Sequence, residues 1–176
     1  MQTTLEKILV SSYKEEMIAF LKTHPEYFEE AIRLAISDKQ PFAWRSAFVL
    51  FDCMDENDKR IKKHIKTILN CIKDKKDGHQ RELLKILFKM NLTEKQEGIV
   101  FDICIRLWEQ IGKEPSVRMT ALKFIIKIAS KYPELLEEIK FLLNEEYLTT
   151  LSPGVKHSIR KMIKAKYQDW SPELQQ

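Results

Sequence analysis

A fourfold internal repeat is the feature of this sequence that most restricts its fold. Four segments align without gaps, at 43–48, 79–84, 116–121 and 154–159. Each segment has a cation at its third position, and these cations are Arg45, Arg81, Arg118 and Lys156. The cations are 36, 37 and 38 residues apart, and an aliphatic residue stands thirteen positions before each one. These aliphatic residues are Ile32, Ile68, Ile105 and Leu143. Periods of roughly 20 to 50 residues are typical of stacked repeats.

Each repeat is predicted to contain two helices, because its apolar residues recur in steps of three and four. In the second helices this pattern is formed by Trp44, Phe48 and Phe51, by Val117, Ala121, Phe124 and Ile128, and by Val155, Ile159 and Met162. The first helix of the second repeat has an isoleucine stripe of Ile61, Ile65, Ile68 and Ile72. Its other faces carry Lys59, Lys62, Lys63, Lys66 and Lys73, which are expected on the outer, convex side of a stack.

Turn-forming residues divide the chain into an N-terminal cap and four helical pairs. Pro41, Pro115 and Pro153 precede three of the repeat cations, and Asp77-Gly78 precedes the other. Thr93 and Gln96 have capping-box spacing, and Asn57 is the expected cap of the second repeat. The predicted helices are 3–11 and 13–23 in the cap, then 25–37 with 41–54, 57–74 with 78–90, 93–111 with 115–132, and 134–148 with 153–167. We expect one domain over 1–176, consisting of the cap 1–24, the repeats 25–56, 57–92, 93–133 and 134–167, and a tail at 168–176.

Composition agrees with an all-α fold. Four glycines and six prolines in 176 residues are too few for a chain rich in hairpins. No apolar run approaches the roughly 20 residues that a membrane-spanning helix needs. The first residues lack the basic start and apolar stretch of a secretory signal, so a cytoplasmic location is expected. The three cysteines form no Cys-x-x-Cys motif and are interpreted as small hydrophobic residues.

The segment 114–121 resembles the helix-opening motif of HEAT repeats, with Pro115 in the turn, Val117-Arg118 at the start of the second helix and Ala121 after them. The other repeats depart from this pattern. Trp44 and Gln80 stand in the valine place, and Lys156 replaces the arginine. The resemblance covers about residues 25–167. It implies a right-handed α-α superhelix of about four HEAT-like pairs, with the second helices lining a concave groove.

The repeat cations have two interpretations. The resemblance implies that such an arginine commonly holds the preceding turn of its own or the next repeat, through carboxylates or carbonyls. Alternatively, the cations face a ligand in the groove. The positions four and eight residues further along the helix are basic in the second and fourth repeats and largely apolar in the other two. The groove candidates are therefore Arg45, Arg81, Lys85, Lys89, Arg118, Lys156, Arg160 and Lys164.

A mixture of basic and apolar groove positions suits an acidic amphipathic peptide, so the predicted function is a non-catalytic protein-interaction scaffold or adaptor. The expected partner is a protein or peptide of acidic character, and the expected oligomeric state is a monomer or weak dimer. The alternative is nucleic-acid binding by the groove cations. Alkylpurine DNA glycosylases are distantly similar in helical stacking and use tryptophans, an aspartate and an arginine. Their catalytic set does not map residue by residue onto Trp44, Trp108, Trp170, Asp102 and Arg106.

No catalytic residue, cofactor or metal ligand is predicted. The four histidines are isolated, without the His-x-x-x-His or Glu-x-x-His spacing that places two ligands on one helical face. The chain also lacks the glycine-rich loops that hold nucleotide phosphates.

Overall fold

Helices are the only regular secondary structure of residues 2–166, which are the residues that the computed structural model describes. Within this range there are twelve α-helices: α1 (Thr4–Ser11), α2 (Lys14–Thr23), α3 (Phe28–Ile36), α4 (Phe42–Cys53), α5 (Lys59–Lys62), α6 (Ile65–Cys71), α7 (Asp77–Phe88), α8 (Glu94–Glu109), α9 (Pro115–Ala129), α10 (Leu136–Leu142), α11 (Glu145–Leu148) and α12 (Pro153–Lys166). Three short 3-10 turns lie at Pro25–Tyr27, Ile72–Asp74 and Pro133–Leu135. The prediction of an all-α, HEAT-like stack of helical pairs is confirmed. The predicted tail lies outside the described residues.

Two of the predicted helices are interrupted. The helix predicted at 57–74 is divided into α5 and α6 at Lys63 and His64, and the helix predicted at 134–148 is divided into α10 and α11. Ile61 and Ile65 are both buried on either side of the first break. Because the hydrophobic spacing continues through this break, the sequence pattern gave no sign of it.

Capping contacts confirm one sequence prediction and correct another. The Thr93 N–H donates to Gln96 Oε1 at 2.9 Å, and the Gln96 N–H donates to Thr93 Oγ1 at 3.4 Å, which is the predicted capping box of α8. The cap of α5 is Asp58 and not Asn57, since the Asp58 carboxylate accepts the Arg60 N–H at 2.9 Å. Asn57 has a φ of 52°, in the left-handed region, and begins no helix.

The chain forms two compact units, residues 1–96 and 97–176. In the first unit α4 is the central helix and packs against α1, α2, α3 and α7. Small residues bring α3 and α4 close together, because Ala43 and Ala47 are fully buried and the Ser46 hydroxyl donates to the carbonyl of Ala31 at 2.8 Å. The isoleucine stripe is fully buried, and the lysines predicted on its other faces are exposed, as expected.

In the second unit, the apolar core contains Trp108, Phe124 and Ile125. The indole N–H of Trp108 donates to the carbonyl of Leu142 at 2.7 Å, which joins α8 to the end of α10. Glu97 is buried at the start of α8, where it pairs with Lys131 and accepts a 3.0 Å hydrogen bond from the Tyr132 hydroxyl. These contacts satisfy polar groups that burial would otherwise leave without partners.

Across residues 2–166, no helix is long and apolar enough to cross a membrane. The cysteines behave as hydrophobic residues, as predicted. Cys104 is fully buried, and Cys53 and Cys71 are half-buried. Burial raises the pKa of the Cys53 thiol to about 11, so this thiol stays protonated and unreactive at neutral pH.

Candidate interaction surface

A row of aromatic side chains runs along α4. The row consists of Trp44, Phe48 and Phe51, whose spacing of four and three residues places them on one face of the helix. All three are half-buried, so each ring keeps some surface in solvent. The rings of Trp44 and Phe48 stack with their centroids 5.8 Å apart and their planes 19° apart. The helices on either side of the aromatic row are α2 and α7, which both pack against α4.

Lysines from α2 and α7 lie over the aromatic row. Lys14 of α2 is 4.9 Å from the ring centroid of Phe48. Lys85 of α7 and Lys89, which directly follows α7, are 4.3 and 4.4 Å from the ring centroid of Phe51. At these distances the ammonium groups are attracted to the faces of the rings. We use the name α2–α4–α7 surface for the set Tyr13, Lys14, Trp44, Arg45, Phe48, Phe51, Arg81, Lys85 and Lys89.

The ammonium groups of this surface also have polar partners. Lys14 forms a 2.9 Å ion pair with Asp52, and the hydrogen bond between them raises the pKa of Lys14. Glu82 is fully buried and pairs with two cations, Arg81 at 2.7 Å and Lys85 at 2.6 Å. These ion pairs fix the lysines over the rings and offset part of their charge.

Lys89 has a structural role as well. Its ammonium group donates to the carbonyls of Phe51 at 2.9 Å and Met54 at 3.2 Å, at the end of α4. The last carbonyls of a helix lack partners within the helix and carry the negative end of its dipole. Lys89 therefore joins α7 to the C-terminus of α4.

An open groove of about 450 Å³ adjoins the aromatic row. It lies between the turn that joins α1 to α2 and the first turns of α4, and its lining comprises Val10, Ser11, Ser12, Tyr13, Lys14, Met17, Trp44, Arg45 and Phe48. At the edge of this groove, Tyr13 is 82% exposed and Val10 is also exposed. The Arg45 guanidinium donates to the carbonyls of Leu9 and, at 3.0 Å, Ser12. Arg45 thus holds the turn that forms one wall of the groove.

The four predicted site residues of the first unit, Arg45, Arg81, Lys85 and Lys89, all belong to the α2–α4–α7 surface. In the second unit, Lys156, Arg160 and Lys164 follow one another along α12. Lys156 forms a 2.9 Å ion pair with Glu145, whereas Arg160 and Lys164 are exposed. Four of the eight predicted residues thus lie in the first unit and four in the second.

Arg118 is the predicted site residue with the least access to a ligand, since its side chain is fully buried. Its guanidinium donates to the carbonyl of Trp108 at 2.9 Å, to the hydroxyl of Thr150 at 3.0 Å and to the carbonyl of Tyr147. It also lies 4.6 Å from the centroid of the Trp108 ring. Of the two interpretations that the sequence left open, these contacts favour the structural one at this position.

Sequence reasoning missed part of the surface. The sequence spacing predicts Trp44, Phe48 and Phe51 as the packing face of their helix, because helical spacing does not separate a buried ring from a half-buried one. Tyr13 and Lys14 follow the first turn of the chain, and no repeat spacing or motif marks them. Their position becomes informative only once α2 is placed beside α4.

The residues compared with DNA glycosylases differ in their exposure. Trp108 is fully buried, and Asp102 and Arg106 are exposed on the same helix. Trp170 lies outside the described residues. Among residues 2–166, no three His, Cys, Asp or Glu side chains come together as metal ligands would.

Stacked helical pairs with a cation at a regular interval along the sequence define an α-helical repeat protein. A model of the HEAT repeat domain matches residues 1–166, so the chain belongs to the HEAT repeat family. Searches of curated proteins and of solved structures found no match.

Proposed function

We propose that the chain is a non-catalytic scaffold or adaptor that binds a segment of a partner protein on its α2–α4–α7 surface. The aromatic row is the observation that carries this proposal, because three half-buried rings beside an open groove offer apolar area that water covers in the free protein. Aromatic side chains in such positions contribute most of the affinity of many protein interfaces. Membership in the HEAT repeat family agrees with a scaffold role.

The expected partner segment combines apolar and acidic side chains. The α2–α4–α7 surface has five cations, whereas the carboxylates paired with them are those of Asp52 and Glu82. This excess of positive charge attracts carboxylates, although each exposed ion pair contributes only about 0–1 kcal/mol. Apolar contacts with the rings therefore supply most of the affinity, and the cations select an acidic segment.

Nucleic acid suits this surface less well. Phosphate contacts supply most of the affinity for a nucleic acid, and three lysines of this surface are already bonded to Asp52, Glu82 and backbone carbonyls. A peptide, in contrast, draws most of its affinity from the rings.

A random-peptide display selection against the full chain tests the proposal. We expect the selected peptides to be enriched in Asp and Glu beside aromatic or aliphatic residues. Tyr13→Ala removes a largely exposed ring and should weaken binding of a selected peptide at least about tenfold, as loss of an interface anchor does.

Phe141→Ala is the matched control, because Phe141 is an aromatic residue that is 53% exposed in the second unit. This change should leave peptide binding unaltered. Peptides without acidic enrichment, or binding that Phe141→Ala weakens and Tyr13→Ala does not, would contradict the proposal.

A further inference from the structure

A second basic surface lies on α5, α6, the 3-10 turn at Ile72–Asp74 and the residue before α7. It consists of Lys59, Lys62, Lys66, Lys73 and Lys76, which we call the lysine stripe, and all five side chains are exposed. The first four are spaced three, four and seven residues apart over two short helices and a 3-10 turn, and they are exposed where the isoleucines between them are buried. The isoleucine stripe occupies the opposite side and is buried in the first unit.

The lysine stripe is not neutralised by neighbouring carboxylates. Residues 59–76 contain eight cations and one carboxylate, that of Asp74. Nearby acidic side chains pair with other cations, as Asp58 does with Arg60 at 2.6 Å, Glu29 with Lys63 at 3.0 Å, and Asp38 with Lys75. No carboxylate among residues 2–166 pairs with any lysine of the stripe.

This pairing distinguishes the lysine stripe from the α2–α4–α7 surface. Lys14 and Lys85 already have carboxylate partners there, and Lys89 has carbonyl partners. An anion that approaches the lysine stripe displaces only water and small counterions. The release of those counterions is the main source of affinity between lysines and a phosphate backbone.

The side chains among the lysines favour nucleic acid over a membrane or a protein partner. Thr67 and Asn70 are exposed and polar, and every Ile and Leu in 59–76 is buried. The stripe therefore has no apolar side chain to insert between lipids or to anchor a protein interface.

We propose that the lysine stripe binds the phosphate backbone of a double-stranded nucleic acid without reading its sequence. This site is independent of the peptide-binding surface proposed above, since the two share no residue. Five phosphate contacts give an expected slope of about −4.5 for the logarithm of affinity against the logarithm of salt concentration. Affinity should then fall on the order of 500-fold between about 50 and 200 mM salt.

Fluorescence anisotropy of a labelled 24-base-pair DNA duplex with the full chain tests the proposal. The double variant Lys62→Gln, Lys66→Gln removes two contacts, so the slope should fall to about −2.7 and the loss of affinity over the same salt range to about 40-fold. The matched control is Lys7→Gln, Lys22→Gln, which removes the same charge from two exposed lysines of α1 and α2. This control should keep the slope of the unchanged protein.

Three results would overturn the proposal: equal slopes for the two double variants, equal competition from polyglutamate at matched charge, or binding to phosphatidylserine vesicles without binding to the duplex. The substituted lysines are exposed, and circular dichroism of each variant checks that the helices remain.

Discussion

Arg118 illustrates how one side chain connects three helices. Its guanidinium reaches the end of α8 at Trp108, the end of α11 at Tyr147 and the hydroxyl of Thr150, while its own backbone lies in α9. Carbonyls at the ends of helices lack partners within those helices. The planar fork of arginine can donate to several of them at once, which a lysine cannot do with one ammonium group.

Replacing Arg118 with methionine is expected to lower the free energy of unfolding by about 3 kcal/mol, because buried carbonyls lose charged donors. Arg118→Lys should lie between this variant and the unchanged protein. Urea unfolding followed by circular dichroism measures the difference. Arg106→Met is the control, since Arg106 is exposed, and its effect should stay within about 0.5 kcal/mol. Equal unfolding midpoints for the two methionine variants would contradict this role.

The four repeat cations share a sequence column but differ in their contacts. Arg45 and Arg118 hold helix ends through backbone carbonyls, whereas Arg81 and Lys156 pair with carboxylates. The sequence predicted the column, and the family resemblance implied contacts with carboxylates or carbonyls. It could not assign them, because the partner of each cation is set by which turn of a neighbouring helix comes within reach.

At the scale of elements, Asn57 joins the chain after α4 to the chain after α7. Its N–H donates to the carbonyl of Lys89 at 2.8 Å, and its side-chain oxygen accepts the N–H of Asn91 at 3.2 Å. The left-handed backbone at Asn57 makes both contacts possible, and asparagine adopts this conformation more readily than most residues.

Asn57→Ala should therefore destabilise the protein by about 1 kcal/mol more than Asn57→Gly does, because alanine has the larger penalty for a positive φ. Asn70 provides the control, since it is exposed within α6, where alanine should be more stable than glycine by about 1 kcal/mol. Thermal unfolding of the four variants gives the two differences. The same order of alanine and glycine at both positions would contradict the argument.

Helix positions were largely predictable from the sequence, because apolar spacing records which side of each helix is buried. The interruptions of the helices at 57–74 and 134–148 were not. Lys63 and His64 keep the hydrophobic period, and neither is a glycine or proline that would mark a break. A helix interruption of this kind depends on the packing of a neighbouring helix, which sequence spacing does not record.

At the scale of the whole molecule, several groups make stability depend on pH. Hydrogen bonds with Lys39, Lys63 and Lys75 lower the pKa of Glu6, Glu29 and Asp38 respectively. These three ion pairs stabilise the fold fully when the pH is above the ordinary carboxyl pKa of about 4. Their contribution is lost as the pH falls through the lowered pKa values of the carboxyl groups. His79 makes stability depend on pH in a higher range, because burial lowers its pKa from an ordinary value near 6.5.

The surroundings of His79 require a neutral ring. Its Nε2–H donates to the carbonyl of Ala35 at 2.7 Å, and its Nδ1 accepts from the side-chain amide of Gln40 at 3.2 Å. Burial has the largest effect on the pKa of His79 and lowers it, as does the charge of Lys75. The hydrogen bond with Ala35 and the charges of Asp38 and Glu82 oppose this effect. Since the unfolded chain takes up the proton first, stability should decrease as the pH falls below about 6.5.

His79→Gln is expected to remove most of the decrease in stability between about pH 7 and 5, although it lowers stability at pH 7. Urea unfolding at a series of pH values measures this slope. His157→Gln is the control, because His157 is exposed on α12, and it should keep the slope of the unchanged protein. If His79→Gln leaves the slope unaltered, the pH dependence comes from other groups.

Arg45 has two roles, and together they restrict how a repeat protein of this kind can change its binding specificity. Arg45 holds the turn after α1 and also lines the groove beside that turn, so a change at this position alters folding and recognition together. Tyr13 borders the same groove with most of its side chain in solvent. Substitutions that change which ligand is bound are therefore expected at turn positions such as Tyr13. The repeat cations are expected to change less, because folding depends on them.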